Sequence, residues 1–136
     1  MLHLRIITPQ KIALEEEVSS VTAPSAFGEI TILPRHTNLF TLLKEGIIKI
    51  KKNAEEDFLA IGGGYLETNG KEINILVSRA YGQDQIDEEQ TKLALEEAQR
   101  ILQKTKDESE KQQAIATLRR SFIDMKLIKR KRRHAS

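Results

Sequence analysis

The chain contains no cysteine and no tryptophan, and only six of its 136 residues are phenylalanine or tyrosine. Without cysteine, neither a disulfide framework nor a thiolate metal site can form, which fits a reducing compartment. Because aromatic side chains are scarce, Ile, Leu, Val and Ala must supply nearly all of the buried area. The length suits one compact domain with an appendage.

Long apolar runs are also absent, and none approaches the roughly 20 residues that a membrane-spanning helix requires. The first residues alternate between apolar and polar side chains as a strand does, unlike a signal or transit peptide. We therefore expect a soluble protein, or one attached to a membrane only through its partners.

Glycine and proline are missing between residues 86 and 133, although both punctuate the first 82 residues. In that first part apolar residues recur with a period of two, as at Leu2, Leu4 and Ile6, and turn signals such as Asn69-Gly70 separate the runs. Eight to ten short strands without an intervening helix predict antiparallel pairing in a sandwich or barrel.

The second part has a helical period. Asp87 followed by acidic residues is typical of a helix start, and one apolar stripe includes Ala94 and Ala98. A polar stretch follows, and then a second stripe recurs at heptad spacing over Ile115, Leu118, Phe122 and Met125. We expect an α+β chain: an antiparallel β-sandwich over residues 1–84 and an antiparallel two-helix hairpin over residues 85–136.

The charge is distributed unevenly along the chain. Residues 1–84 and 85–125 each carry a net charge of −2, whereas the last eleven residues carry +6. The six cations of this basic tail are Lys126, Lys129, Arg130, Lys131, Arg132 and Arg133. Such a tail favours an acidic protein surface or, less specifically, a polyanion.

Catalytic motifs are not evident. The triplet at residues 62–64 lacks the Lys-Ser or Lys-Thr of a phosphate loop and favours a bulge or a tight strand crossing. The three histidines share no ligand spacing, and the acids at residues 15–17 are interpreted as a solvated strand end. No residue stands in a nucleophile motif. We expect neither a metal site nor an enzyme.

Residues 25–46 closely resemble the signature of the F-type ATP synthase epsilon subunit, which is called delta in mitochondria. Four further stretches agree with that family in the same order. They are Val18 to Thr22, Ile61 to Glu67, Ile73 to Val77, and Asp84 to Asp87. The similarity runs from Leu4 to about Arg100 and continues to the end as composition.

The resemblance implies a sandwich of about ten strands followed by a helical hairpin. It also implies a non-catalytic rotor subunit that holds the gamma shaft and rests on the c-ring, at the cytoplasmic face of a bacterial cell membrane. Carried over by position, Glu29, Arg35 and His36 would contact the c-ring. The family more often has glycine where Arg35 stands.

In the same family the hairpin regulates ATP hydrolysis, which it blocks when it extends into the catalytic head of alpha and beta subunits. The basic tail would then meet acidic loops of the beta subunits. Members that bind ATP use an IDxxRA motif, of which Ile86 and Asp87 are present, while Gln90 replaces the arginine and Thr91 the alanine. We expect weak or absent ATP sensing, unless Arg100, Arg119 and Arg120 lie close enough to compensate.

Two alternatives remain open at the level of sequence. The basic tail would also suit a nucleic-acid-binding module, although no aromatic residues are interleaved with its cations. A free-standing coiled-coil adaptor would explain the helices but leave residues 28–36 without a role.

Overall fold

A computed structural model describes residues 1–130 of the chain. These residues form two compact units, Met1–Gly82 and Gln83–Arg130. The first unit consists of ten strands: β1 (Leu2–Ile7), β2 (Ile12–Val18), β3 (Ser20–Ser25), β4 (Gly28–Ile32), β5 (Leu39–Leu43), β6 (Gly46–Lys52), β7 (Glu55–Ile61), β8 (Gly64–Thr68), β9 (Glu72–Val77) and β10 (Ala80–Tyr81). The second consists of a 3₁₀ turn (Gln83–Gln85), α1 (Glu88–Lys104) and α2 (Glu108–Ile128). The predicted α+β class is confirmed.

The strands form two groups of five. In one group the order is β10-β7-β6-β3-β4, because β4 pairs with the edge of β3 opposite β6. In the other group the order is β5-β8-β9-β1-β2. A single residue pair, Ser25 with Leu43, joins β3 to β5 and so connects the groups. One hydrophobic core contains buried side chains from both groups, which is the arrangement of a β-sandwich.

One strand pair departs from the expected antiparallel arrangement. β1 and β9 run parallel, with His3 opposite Glu72 and Ile6 opposite Ile75. A parallel pair cannot be joined by a tight turn and needs a long connection, and here seven intervening strands supply it. The alternation of side chains along each strand does not depend on strand direction, so the sequence pattern carries no sign of this pair.

Apolar and polar side chains alternate along the strands, and the apolar ones lie in the core as predicted. Leu2, Leu4 and Ile6 of β1 are fully buried, whereas His3 and Arg5 between them are not. On the neighbouring strand Ile73 is likewise fully buried. Ile, Leu, Val and Ala account for the whole buried hydrophobic cluster, in agreement with the scarcity of aromatic residues.

The glycine triplet lies at a close approach of two backbone segments. A Cβ atom on Gly62 would lie 2.0 Å from the Ser78 hydroxyl, and one on Gly64 would lie 1.9 Å from the Leu76 carbonyl oxygen. A Cβ on Gly63 would make only an ordinary contact, 3.6 Å from the Leu43 carbonyl oxygen. The predicted tight strand crossing is confirmed.

Both helices begin at an aspartate cap. The Asp87 carboxylate accepts a hydrogen bond from the Gln90 backbone amide over 3.0 Å, which confirms the predicted start of α1. Asp107 caps α2 in the same way, through the Ser109 amide at 3.1 Å. The two helices pack along each other, and residues 105–107 connect them.

The buried positions of the helices differ from the predicted second stripe. Thr91, Ala98, Ala114 and Ser121 are buried, while Phe122 is 57% exposed. Neighbouring residues of a helix point about 100° apart, so burial of Ser121 turns Phe122 outward. The small buried side chains allow the backbones of the two helices to approach closely. The prediction that Phe122 lies in the packed stripe was wrong. Among residues 1–130 there is no helix that is both long and apolar enough to span a bilayer.

Candidate functional site

Glu29 lies beside the tight β3–β4 turn. The Ser25 hydroxyl donates to the Gly28 carbonyl oxygen and accepts from the Phe27 amide at 3.2 Å, which fixes the turn. Gly28 has a φ of 124°, a conformation that side chains with a Cβ rarely adopt. The turn leaves Glu29 exposed and Phe27 94% exposed.

Arg35 and His36 lie in the loop between β4 and β5. Arg35 has a φ of 68°, in the left-handed region that disfavours a residue with a Cβ. Its amide donates to the carbonyl oxygen of Gly70 over 2.9 Å, which ties the loop to the β8–β9 turn. Nδ1 of His36 lies 2.8 Å from the Thr37 carbonyl oxygen, to which it donates. The left-handed backbone is the physical reason why glycine suits position 35.

The three predicted c-ring contacts therefore occupy two places in the unit. Glu29 stands near the start of β4, and Arg35 and His36 follow the end of that strand. The stretch from Glu29 to Ile32 alone spans about 10 Å at the usual rise per residue. Strand β4 separates the exposed Glu29 carboxylate from the loop of Arg35 and His36. The hydrogen bond to Gly70 joins that loop to the β8–β9 turn and does not involve Glu29.

An exposed apolar strip lies on β5 and β8. Phe40 is 61% exposed and Leu42, two residues later on the same face, is also exposed. The rings of Phe40 and Tyr65 meet with their centroids 5.1 Å apart. Sequence reasoning did not single out this strip, although the apolar residues on both faces of β5 were a signal for it.

His3 connects two carboxylates on the neighbouring strand β2. Its Nε2 lies 2.7 Å from Glu15 Oε2 and its Nδ1 lies 2.8 Å from Glu17 Oε1. Hydrogen bonds with Glu17 and then Glu15 raise the pKa of His3 above its ordinary value of 6.5. These acids are therefore more than a solvated strand end, and their spacing of two on one strand face was the available signal.

The residues of the degenerate ATP motif lie at the start of α1. Ile86 is half-buried, Asp87 caps the helix, and Gln90 is exposed. The Thr91 hydroxyl, which stands where the motif has alanine, donates to the Asp87 carbonyl oxygen over 2.8 Å. The Asp87 carboxylate is engaged in the helix cap, because it accepts from the Gln90 backbone amide.

The arginines that would have to replace the motif's guanidinium differ in position. Arg100 lies about 15 Å along α1 from Gln90, at 1.5 Å per residue, and pairs with Glu97 at 2.5 Å. Arg119 and Arg120 are exposed on α2. Gln90 lies 14 residues before the end of α1, and Arg120 lies 12 residues after the start of α2. Both residues therefore lie at a similar height on the hairpin, measured along the helices from the connection at residues 105–107.

The described part of the basic tail lies at the end of α2. Lys126, Lys129 and Arg130 are exposed. Cations in this place interact favourably with the carbonyl end of the helix. The other three predicted cations, Lys131, Arg132 and Arg133, lie outside the described residues.

One contact of the second unit was not predicted. The side-chain amide of Gln83 donates to the carbonyl oxygens of Leu127 at 2.7 Å and Ile128 at 3.0 Å, and it also contacts that of Arg130. No local sequence pattern reports a contact over more than forty residues. The arrangement can cap the end of α2 from the segment that precedes α1.

Comparison with known proteins identifies the family. The beta-sandwich domain of the ATP synthase delta/epsilon chain matches residues 1–83. The ATP synthase epsilon chain of Herpetosiphon aurantiacus is 37% identical over 134 residues, which cover 96% of each chain. That of Geotalea uraniireducens is 36% identical over 127 residues, 93% of this chain and 92% of the relative.

A solved structure agrees with these relatives. A chain in the Euglena gracilis mitochondrial ATP synthase, determined as an assembly of OSCP, F1 and c-ring, superposes with a TM-score of 0.71 at 25% identity. The superposition covers 93% of this chain and 76% of the other. The present chain belongs to the ATP synthase delta/epsilon chain family.

Proposed function

We propose that this chain is a non-catalytic central-stalk subunit of an F-type ATP synthase, one that links the gamma shaft to the c-ring and inhibits ATP hydrolysis through its helices. The observation that carries the proposal is the match to epsilon chains over 96% of the chain, which includes the helical unit as well as the sandwich. The subunit then belongs to the cytoplasmic face of a bacterial membrane, held there by its partners.

The apolar strip formed by the exposed Phe40 and Leu42 and the half-buried Tyr65 is the proposed gamma-binding surface of the sandwich. Exposed neighbouring apolar side chains mark interaction surfaces on a domain whose core is otherwise closed. Aromatic residues such as Phe40 also contribute strongly to interfaces, because they bury a large area with few rotatable bonds.

The loop of Arg35 and His36 is the proposed principal contact with the c-ring. Arg35 is exposed, and its tether to Gly70 holds the loop in one conformation. A guanidinium in this place can pair with carboxylates of the c-ring loops, for which an exposed pair contributes about 1 kcal/mol or less. Glu29 is a separate contact, because it stands near the other end of β4.

The helical arm, residues 85–136, is the proposed regulatory domain, and residues 1–84 are the rotor domain. In the extended state the tail cations would meet acidic loops of the beta subunits in the catalytic head. Lys126, Lys129 and Arg130 are exposed at the end of α2, where such a contact requires them. Complementary charge raises the association rate and is weakened by salt.

ATP sensing by the arm is proposed to be weak or absent. Gln90 lacks the charged guanidinium, whose two parallel N–H donors hold a phosphate in bidentate fashion. Arg119 and Arg120 stand at a similar height and could supply one, but the motif's aspartate is engaged in the helix cap. Apart from this degenerate ATP motif, no cofactor is proposed.

Copurification with the gamma subunit tests the proposed surface. Phe40→Ser should weaken binding of the full chain to gamma on the order of tenfold, as expected for an aromatic anchor. Phe27→Ser is the matched control, because it removes another exposed phenylalanine ring, 94% exposed against 61% for Phe40, at the β3–β4 turn. Equal affinities of the two variants would contradict the placement, and failure of the unaltered chain to bind gamma would contradict the function itself.

Nucleic-acid binding by the tail is the competing function, and a salt titration distinguishes it. Retained RNA or DNA affinity with a steep salt slope, lost on substitution of Lys126, Lys129 and Arg130 by Gln, would favour it. The synthase proposal expects no such affinity at physiological salt.

A further inference from the structure

The end of α2 is held by one side chain from the far end of the helical unit. The carbonyl groups of the last turn of a helix lack the amide partner that the helix interior supplies, and in α2 the Leu127 carbonyl oxygen also accepts from the Arg130 backbone amide at 3.1 Å. Here the Gln83 Nε2 group reaches Leu127 O at 2.7 Å and Ile128 O at 3.0 Å, and it also contacts Arg130 O. An amide has two hydrogens, so they are shared among three carbonyl oxygens.

Because Gln83 precedes α1, its bonds to the end of α2 close the open end of the hairpin. Residues 105–107 connect α1 and α2 covalently at one end of the hairpin. Gln83 belongs to the 3₁₀ turn that precedes α1, so its bonds join the two free ends of the pair. The turn is itself anchored, since the Ile86 amide donates to the Gln83 carbonyl oxygen at 3.2 Å. α2 cannot separate from α1 at this end while the bonds persist.

We infer that Gln83 is a latch that holds the arm in its closed hairpin, and that rupture of its bonds to the end of α2 is a required step in extension of the arm. The hydrogen bonds of the latch are independent of the proposed function, and only the role of the extended arm rests on that function. The latch acts through hydrogen-bond donation, so a side chain of similar length without a donor cannot replace it.

Amide hydrogen exchange of the full chain tests the latch directly. Gln83→Glu keeps the shape but removes the donor, and its negative charge faces carbonyl oxygens at the negative end of the helix dipole. Exchange over residues 125–128 should become roughly fivefold to tenfold faster, the effect expected from loss of one to two ordinary hydrogen bonds. Gln83→Lys retains donors and should stay close to the unaltered chain.

Gln113→Glu is the matched control, since it makes the same change of charge at an exposed position within α2. Its exchange over residues 125–128 should equal that of the unaltered chain. Unchanged exchange in Gln83→Glu would overturn the latch. Equal acceleration in Gln83→Glu and Gln83→Lys would also overturn it, because shape rather than donation would then be decisive.

ATP hydrolysis by the assembled synthase separates the latch from the proposed regulation. With Gln83→Glu the arm should extend more readily, so hydrolysis should fall below that of a complex with the unaltered chain or with Gln113→Glu. Faster exchange with unchanged hydrolysis would support the latch and contradict inhibition by the extended arm. Unchanged exchange would contradict the latch whatever the hydrolysis rate.

Discussion

The backbone amide of Arg35 donates to the carbonyl oxygen of Gly70 over 2.9 Å, and this bond ties the β4–β5 loop to the β8–β9 turn. Both residues have positive φ angles, 68° for Arg35 and 88° for Gly70. A Cβ on Gly70 would lie 2.5 Å from the His36 carbonyl oxygen, so the turn fits closely against the loop. The loop that carries two of the proposed c-ring contacts is therefore set by backbone geometry.

The left-handed conformation of Arg35 predicts a difference between two substitutions. Arg35→Ala and Arg35→Gly both remove the guanidinium, but only glycine relieves the backbone strain. Arg35→Gly should be more stable than Arg35→Ala by about 1 kcal/mol, because a residue with a Cβ is disfavoured by that amount in this region. Urea unfolding of both variants measures the difference, and equal stabilities would show that the loop relaxes without strain.

The glycine triplet predicts position-specific intolerance to a methyl group. Gly64→Ala should cost about 3 kcal/mol of unfolding free energy, because its Cβ would lie 1.9 Å from a backbone oxygen that cannot move alone. Gly63→Ala is the matched control and should cost less than about 1 kcal/mol, since its nearest neighbour is 3.6 Å away. A similar cost at both positions in denaturant unfolding would contradict the tight crossing at Gly64.

The His3 cluster predicts a pH dependence of stability. Glu17 and Glu15 raise the pKa of His3, so its contribution is fully present below the ordinary value of 6.5 and is lost as pH rises through the raised pKa. Arg5, with its Nε 3.6 Å from Glu15, and Glu72, opposite His3 on β9, are the other charged groups facing it. The stability advantage over His3→Gln should therefore be larger at acidic than at alkaline pH.

Urea midpoints of the two chains at about pH 5.5 and about pH 8.5 measure this advantage. The two proteins differ only at residue 3, so contributions from the rest of the chain cancel in the comparison. An advantage that is the same at both pH values would show that the two hydrogen bonds do not persist in solution.

The degenerate motif at the start of α1 predicts that ATP binding can be gained. Restoring the family's residues with Gln90→Arg and Thr91→Ala should tighten ATP binding by about tenfold, because arginine supplies a bidentate phosphate contact. Calorimetric titration of the full chain with ATP measures the change. Gln99→Arg, at an exposed position on the same helix, controls for added charge. Tight binding by the unaltered chain would refute the proposed loss of sensing.

Local patterns predicted those features that depend on local chemistry. Burial of Leu2, Leu4 and Ile6 follows from alternation, and the start of α1 at Asp87 follows from its carboxylate cap. The parallel register of His3 with Glu72 and the bonds from Gln83 to the end of α2 join residues far apart in the chain. Such partners are chosen by packing of the whole unit, which alternation and capping signals do not report.

The candidate c-ring contacts show the same division. The resemblance implied that Glu29, Arg35 and His36 contact the c-ring, by their positions in the signature. In the structure Glu29 lies near the start of β4, and the loop of Arg35 and His36 follows the end of that strand. The left-handed φ of Arg35 makes glycine well suited to this position, and the local sequence pattern does not report that backbone conformation.

The central claim is that the arm inhibits ATP hydrolysis while the sandwich maintains the rotor. The most direct measurement is the rate of ATP hydrolysis by synthase assembled with residues 1–84 alone, compared with synthase assembled with the full chain. Hydrolysis should rise when residues 85–136 are absent, and ATP synthesis driven by an ion gradient should persist. An unchanged hydrolysis rate with the truncated chain in place would contradict the account.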